Sequence, residues 1–190
     1  MDRIGVVGCG LMGSGIAEVS ARAGLDVVVV ETSPHAVEAG RTRLTKSLER
    51  AEQRGKVDSA AEVLDRIRVV EGLGALADRD MVVEAIVEDE KLKVELFREL
   101  DEVVTSPDAL LTSNPSSIPI MKLAVATKRP SHVLGVHFFN PVPVLSLVEL
   151  VPSLLTAPTP RSVRARSSRT ASASTPSTAR TAPASSSTRC

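Results

Sequence analysis

Tryptophan and tyrosine are absent from these 190 residues, and phenylalanine occurs only three times. A chain so poor in rings has no aromatic platform for unpaired bases, which excludes the usual surfaces for RNA or single-stranded DNA. Cysteine occurs twice, at Cys9 and Cys190, too sparsely for a disulfide framework or a metal-ligand cluster. Cys9 therefore reads as a small apolar residue rather than a redox group, and no metal is expected. No apolar run reaches the roughly 18 to 20 residues of a membrane-crossing helix. The N-terminus also lacks the basic, apolar and cleavage-site succession of a secretory leader, so a reducing cytoplasm is the expected setting. Net charge is absent too, with 23 basic against 23 acidic side chains, and gives no reason to expect nucleic acid or a membrane as partner. The balance hides an asymmetry: residues 158–190 carry six arginines and no acid, which leaves residues 1–157 with 17 basic and 23 acidic groups.

What the chain does have begins at its N-terminus. Arg3-Ile4-Gly5-Val6-Val7 is short and β-branched, as in a strand buried on both faces of a parallel sheet. Gly8-Cys9-Gly10-Leu11-Met12-Gly13 follows, a G-x-G-x-x-G turn, and Ile16, Val19, Ser20 and Ala23 then recur at helical spacing up to a C-capping Gly24. In such a turn Gly8 permits the tight strand exit, Gly10 lets backbone approach a pyrophosphate, and Gly13 lets the helix pack closely on the strand. The phosphates rest on the free N–H groups of the helix N-terminus. A second run, Asp26 to Val30, ends at Glu31, whose carboxylate can accept from the ribose hydroxyls of NAD and repel the 2′-phosphate of NADP. Nicotinamide and flavin dinucleotides both remain open at this stage, as does a purely structural turn.

Ser33-Pro34 starts a polar helix reaching about Arg54, and a second helix runs from Asp58 to about Arg66. This pair is longer than an ordinary crossover; it is either a solvated arm or a basic surface (Arg41, Arg43, Lys46, Arg50, Arg54, Lys56) for a phosphorylated substrate. Further strands are expected at Val69-Val70, Asp80–Ile86, Ala109–Thr112, Val133–Val136 and Leu147–Val151. Between them Glu88 to Val104 reads as an amphipathic helix with a Leu92, Leu96, Leu100, Val103 stripe. Strands alternating with helices give an α/β, doubly wound sheet that binds ligands at the carboxyl ends of its strands. His137 lies at one such end. By itself it could be a satisfied core histidine, but Glu149 twelve residues on and the Ser113–Ser117 cluster at another strand end suggest a base held by a carboxylate.

Gly8–Gly13 with Met12, Val83-Glu84-Ala85-Ile86-Val87-Glu88, Ser113-Asn114-x-Ser116-Ser117, and above all His137-Phe138-Phe139-Asn140-Pro141 followed by Leu147-Val148-Glu149, together resemble the Rossmann-type NAD-binding domain of the L-3-hydroxyacyl-CoA dehydrogenases, especially the bacterial 3-hydroxybutyryl-CoA dehydrogenases. The resemblance covers residues 3 to about 157. It implies NAD as cofactor, an acyl-CoA substrate, oxidation of (S)-3-hydroxyacyl-CoA in fatty-acid β-oxidation or butanoate metabolism, and a homodimer for a complete member. By position, His137 would be the base, Glu149 its partner, and Ser116 and Asn140 the groups that orient the substrate oxygen and border the cofactor. Gly8, Gly10, Leu11, Met12, Gly13, Glu31, Glu88 and Lys93 would contact NAD, and Ser47 and Arg54 on the helical arm would contact coenzyme A. Pro115 departs from the family's usual threonine and removes an N–H and a hydroxyl beside the serine. A sugar-acid dehydrogenase would share the glycine turn but use a lysine base, and a non-catalytic relative would lose His137 or Glu149.

From Pro158 onward only Pro, Thr, Arg, Ser, Ala, one Val and the final Cys occur. Such a segment buries too little apolar surface to offset the roughly 1–2 kcal/mol per residue of backbone ordering, so disorder is expected. The abrupt change of vocabulary suggests an out-of-frame reading of a GC-rich gene, with a natural Ser/Thr/Pro tail as the other possibility. The resemblance implies an all-helical C-terminal domain at this point. Its absence would leave a fragment that binds NAD but is catalytically impaired, with dimerisation in doubt.

Overall fold

The computed structural model describes residues 1–115, 117–145 and 147–157. Seven strands form one sheet in the order β3-β2-β1-β4-β5-β6-β7. They are β1 (Arg3–Val7), β2 (Asp26–Glu31), β3 (Ile67–Glu71), β4 (Met81–Glu84), β5 (Leu110–Ser113), β6 (Val133–Phe138) and β7 (Val148–Pro152). The first six run parallel, while β7 pairs antiparallel with β6. The central strands are continuous apolar runs because both faces are covered: Val27, Val28 and Val29 are fully buried.

Among the described residues five α-helices cover the sheet: α1 (Leu11–Arg22), α2 (Pro34–Gln53), α3 (Ala60–Leu64), α4 (Glu90–Val103) and α5 (Ile120–Ala124). Three of them begin on side-chain caps. The Ser33 hydroxyl accepts from Ala36 N, the Ser59 hydroxyl from Glu62 N, and the Asp89 carboxylate from Leu92 N. α1 has no such cap, since Gly10 occupies the position, and its first N–H groups carry no side-chain partner.

Several sequence expectations need correction. The helical pair keeps a mostly exposed face, while its inner side is anchored: α2 buries Gly40, Leu44 and Leu48, with Leu44 packed among residues of α1, β2 and β3. Two fully buried leucines supply about 1.5–3 kcal/mol each, enough to fix a polar helix in place. The helix expected from Glu88 begins at Glu90, and its buried stripe is Lys93, Leu96, Phe97, Leu100 and Asp101, with Leu92 turned outward at 47% exposure. A lysine can sit on the inner face there because β4 supplies a carboxylate opposite it. α5 has only five residues and was too short to register as a period. Residues 158–190 lie outside the described part.

Away from the carboxyl edge, Arg129 closes the end of α4. Its guanidinium donates to Asp101 Oδ1 at 2.6 Å and to the carbonyls of Val104 at 3.0 Å and Ser106 at 2.6 Å.

Gly135 sets how closely β6 and β7 approach. A Cβ there would stand 2.9 Å from Val151 Cβ and 3.1 Å from both Ile120 Cδ1 and Pro115 Cγ. Gly135→Ala is therefore expected to destabilise the fold by about 1–3 kcal/mol, the usual cost of overpacking. Urea unfolding followed by far-ultraviolet circular dichroism measures it, and an unchanged midpoint would contradict the packing described.

Candidate active site

The glycine turn has the geometry its sequence requires. Gly8 has φ +92°, and a Cβ there would lie 2.9 Å from Ala85 O. A Cβ on Gly13 would lie 1.9 Å from Gly8 O, so only glycine lets α1 approach the strand this closely, whereas the space beside Gly10 is open to 4 Å. That open cradle, with uncapped helix N–H groups facing it, fits a pyrophosphate.

Two other elements grip the turn at Cys9. Its N–H donates to Glu31 Oε1 at 2.5 Å, and its carbonyl accepts from the Arg43 guanidinium of α2. Gly40 packs so tightly on the Cys9 side chain that a Cβ would come within 2.9 Å of its sulfur. Glu31 and Glu71 stand opposite each other in the β2–β3 register, and both line a cavity of about 770 Å³ that also includes Gly8, Gly10, Val30 and Ile86.

On the other side of α1 lies a basic cleft of about 580 Å³. Arg22 of α1 and Arg43, Arg50 and Arg54 of α2 line it, with Lys56 and Ser47. Leu11 and Asn140 border the same cleft. Of the basic residues expected on the helical pair, Arg41 instead donates to Val69 O, and Lys46 is not among the lining residues. Arg22 was not anticipated, nor was Glu18, a buried acid that accepts from the Ser47 hydroxyl at 2.6 Å and from Arg22 at 3.4 Å. A lone acid at an otherwise apolar helix position was the available signal.

His137 and Glu149 face each other directly across β6 and β7, with Nδ1 3.3 Å from Glu149 Oε2. The ring also lies 4.5 Å from that of Phe139. With Nδ1 turned to the carboxylate, a neutral imidazole carries its proton there and keeps the Nε2 lone pair free. The His137 side chain is 35% exposed and that of Glu149 is 61% exposed, so solvent reaches the pair. Phe138, next to His137, donates its N–H to Asn114 Oδ1 at 3.0 Å.

Lys93, expected to contact the cofactor, is 1% exposed. Its ammonium instead lies 3.2 Å from Glu84 Oε2 and 2.6 Å from Glu88 Oε2. Glu88, outside the helix, also accepts from Ser117 N at 3.0 Å and from the Ser117 hydroxyl at 3.2 Å. Met12 lies at the start of α1 beside Leu11. Ser116 falls outside the described residues.

A mostly parallel sheet, with a glycine-lined helix N-terminus and an acid ending the second strand, defines a dinucleotide-binding domain of the dehydrogenase type. Residues 3–165 match the family described as 3-hydroxyacyl-CoA dehydrogenase, NAD binding domain, and the chain belongs to that family. It is 59% identical over 158 residues to a 3-hydroxybutyryl-CoA dehydrogenase of Mycobacterium tuberculosis, covering 82% of this chain and 55% of that protein. A probable 3-hydroxybutyryl-CoA dehydrogenase of Bacillus subtilis is 43% identical over 159 residues, with 83% and 55% covered. The crystal structure of M. tuberculosis FadB2 superposes with a TM-score of 0.83 at 56% identity, over 90% of this chain and 60% of that one. The (S)-3-hydroxybutyryl-CoA dehydrogenase PaaH1 of Ralstonia eutropha gives 0.82 at 38% identity, over 89% and 60%. The chain thus spans about half the length of the curated relatives it matches. NAD is the cofactor of this domain.

Burial pushes the Cys9 thiol up to about 11, with the Glu31 carboxylate adding to the shift and Arg43 opposing it. At pH 8 only about one thiol in a thousand is then ionised, against roughly a quarter for a free cysteine. Native protein treated with iodoacetamide at pH 8 should leave Cys9 unmodified in peptide mass spectra until it is unfolded. Labelling at the rate of a free thiol would contradict the burial.

Proposed function

We propose that this chain is the cofactor-binding and base-bearing part of an enzyme that oxidises short-chain (S)-3-hydroxyacyl-CoA, such as 3-hydroxybutyryl-CoA, to the 3-oxoacyl-CoA. The reading rests chiefly on the His137–Glu149 pair at the carboxyl edge of a sheet that also carries the glycine cradle. When bound, NAD supplies the hydride acceptor. The N–H groups opening α1 hold its pyrophosphate, Glu31 Oε2 takes a ribose hydroxyl while Oε1 stays on the turn, and Glu88 borders it with Lys93 behind. His137 Nε2 takes the substrate hydroxyl proton, and Glu149 stabilises the resulting imidazolium. Ser116 and Asn140 orient the substrate oxygen, a role carried by the resemblance. The cleft of Arg22, Arg43, Arg50, Arg54 and Lys56 suits the phosphates of coenzyme A, and Ser47 adds a hydroxyl at its wall. Binding energy gathered there, away from the reacting carbon, serves orientation. Such a step belongs to fatty-acid β-oxidation or butanoate metabolism, and the cytoplasm is its natural setting.

A second reading is favoured by a row of exposed apolar side chains: Val144 at 74%, Leu147 at 63%, Leu150 at 52% and Leu154 at 94%. A patch of this kind is what another domain or subunit covers. On this reading residues 1–157 bind NAD, and fast turnover waits on whatever covers that patch. Purified chain that binds NADH yet reduces acetoacetyl-CoA far below the typical 10 per second favours the second reading; turnover at about that rate favours the first.

Because Glu31 repels a 2′-phosphate, NADH should bind at least about tenfold more tightly than NADPH. With no Trp or Tyr in the chain, titration by nicotinamide fluorescence reads this directly, and equal affinities would remove Glu31 from the ribose site. In a catalytically competent form, His137→Gln should retain NADH binding and lose roughly 10²–10⁴-fold in kcat. Activity within about twofold of the parent would return His137 to a packing role.

A further inference from the structure

Glu84 ends β4 with no exposed surface, and the reaction outlined above gives it no task. Its two oxygens are fully engaged. Oε1 accepts from Ile86 N at 2.8 Å, and Oε2 accepts from the Ser113 hydroxyl at 2.6 Å with the Lys93 ammonium 3.2 Å away. Its backbone carbonyl takes the Asn114 N–H at 2.9 Å. The β4–β5 register sets Glu84 directly beside Ser113, so one residue holds Ser113 by its side chain and Asn114 by its main chain. Asn114 then reaches across to Phe138 N, the peptide that follows His137. In the other direction Lys93 carries the connection to Glu88.

We propose that Glu84 is the positioning residue of this site, bracing the base strand through Ser113 and Asn114 and the cofactor-side carboxylate Glu88 through Lys93. The β5–β6 ladder pairs Ser113 with Gly135 as its last rung, and the Asn114 side chain stands in for the next acceptor, where the strands diverge. The orientation of His137 then depends on where the Ser113–Asn114 corner sits, and that corner is set by Glu84. Burial raises the Glu84 carboxyl, while the Ser113 hydroxyl, the Lys93 ammonium and Ile86 N–H oppose the rise; the brace therefore needs all three partners.

The proposal deepens the reading of His137 as the base and rests on it for its catalytic consequence, but not for its structural one. The chain has three histidines, His35, His132 and His137, so their ring resonances can be followed by ¹⁵N–¹H correlation NMR on the whole chain. Ser113→Ala cuts the side-chain tie to the corner and leaves the Glu84–Lys93 pair intact. Glu84→Gln keeps a reversed bond to Ser113 but faces Lys93 with an amide. Arg129→Ala, remote from the site, serves as a control for general loss of stability. In both site variants the His137 ring signals should move while those of His35 stay, and Arg129→Ala, at a residue whose carbonyl accepts from His132 N, should leave the His137 signals in place. Where the parent turns over acetoacetyl-CoA, Ser113→Ala should lower kcat on the order of 10–100-fold, the scale of an ångström-sized misplacement, with KM and the NADH Kd within about twofold. Unmoved His137 signals in a folded Ser113→Ala variant would overturn the proposal, as would equal movement in Arg129→Ala. Movement of His137 without any change in a measurable kcat would uphold the brace and defeat the reading of His137 as the base.

Discussion

A carboxylate with no exposed surface costs several kcal/mol to keep ionised unless donors and a cation surround it. Glu84 has both, and meeting its needs fixes the local structure. Lys93 must lie on the inner face of α4, Ser113 must end β5 with its hydroxyl inward, and the turn after β4 must bring Ile86 N–H back to the same oxygen pair. The turn after β4, α4 and the end of β5 are drawn to one point between the glycine cradle and β6. The energetic worth of such a cluster lies less in net stability than in specificity, since removing Lys93 strands a buried charge.

Much of the fold was legible because parallel strands buried on both faces are written as valine runs, and every such run became a strand. The glycine turn was legible for a different reason. Gly8 needs a left-handed φ and Gly13 a contact that no Cβ survives, so those residues could hardly be anything else. The helix start at Ser33-Pro34 was also readable from local chemistry, whereas the Asp89 cap was not, since the helix was expected from Glu88.

What could not be read depended on contacts distant in sequence. Leucine periodicity pointed to Leu92 on the buried stripe of α4; the structure turns it out and puts Lys93 inward, because the partner that makes a buried lysine tolerable comes from β4. Likewise nothing near Ser47 indicated that Glu18 would take its hydroxyl. The antiparallel direction of β7 was hidden as well, since a strand's own pattern does not record its direction. His137 and Glu149 were found as a pair by their spacing along the chain, yet the register that faces them belongs to the ladder between two strands.

That register has a consequence for how the site could change over time. A dyad built from two loops would shift with every insertion in either one. Here the two side chains occupy one rung, and the backbone bonds of β6 and β7 fix their separation whatever happens between Phe138 and Val148. The connecting segment carries Asn140, Val142 and Val144, which line the basic cleft. Around Asn140 it can lengthen, shorten or exchange residues, and so reshape the cleft, while the His137–Glu149 pair stays where the sheet holds it.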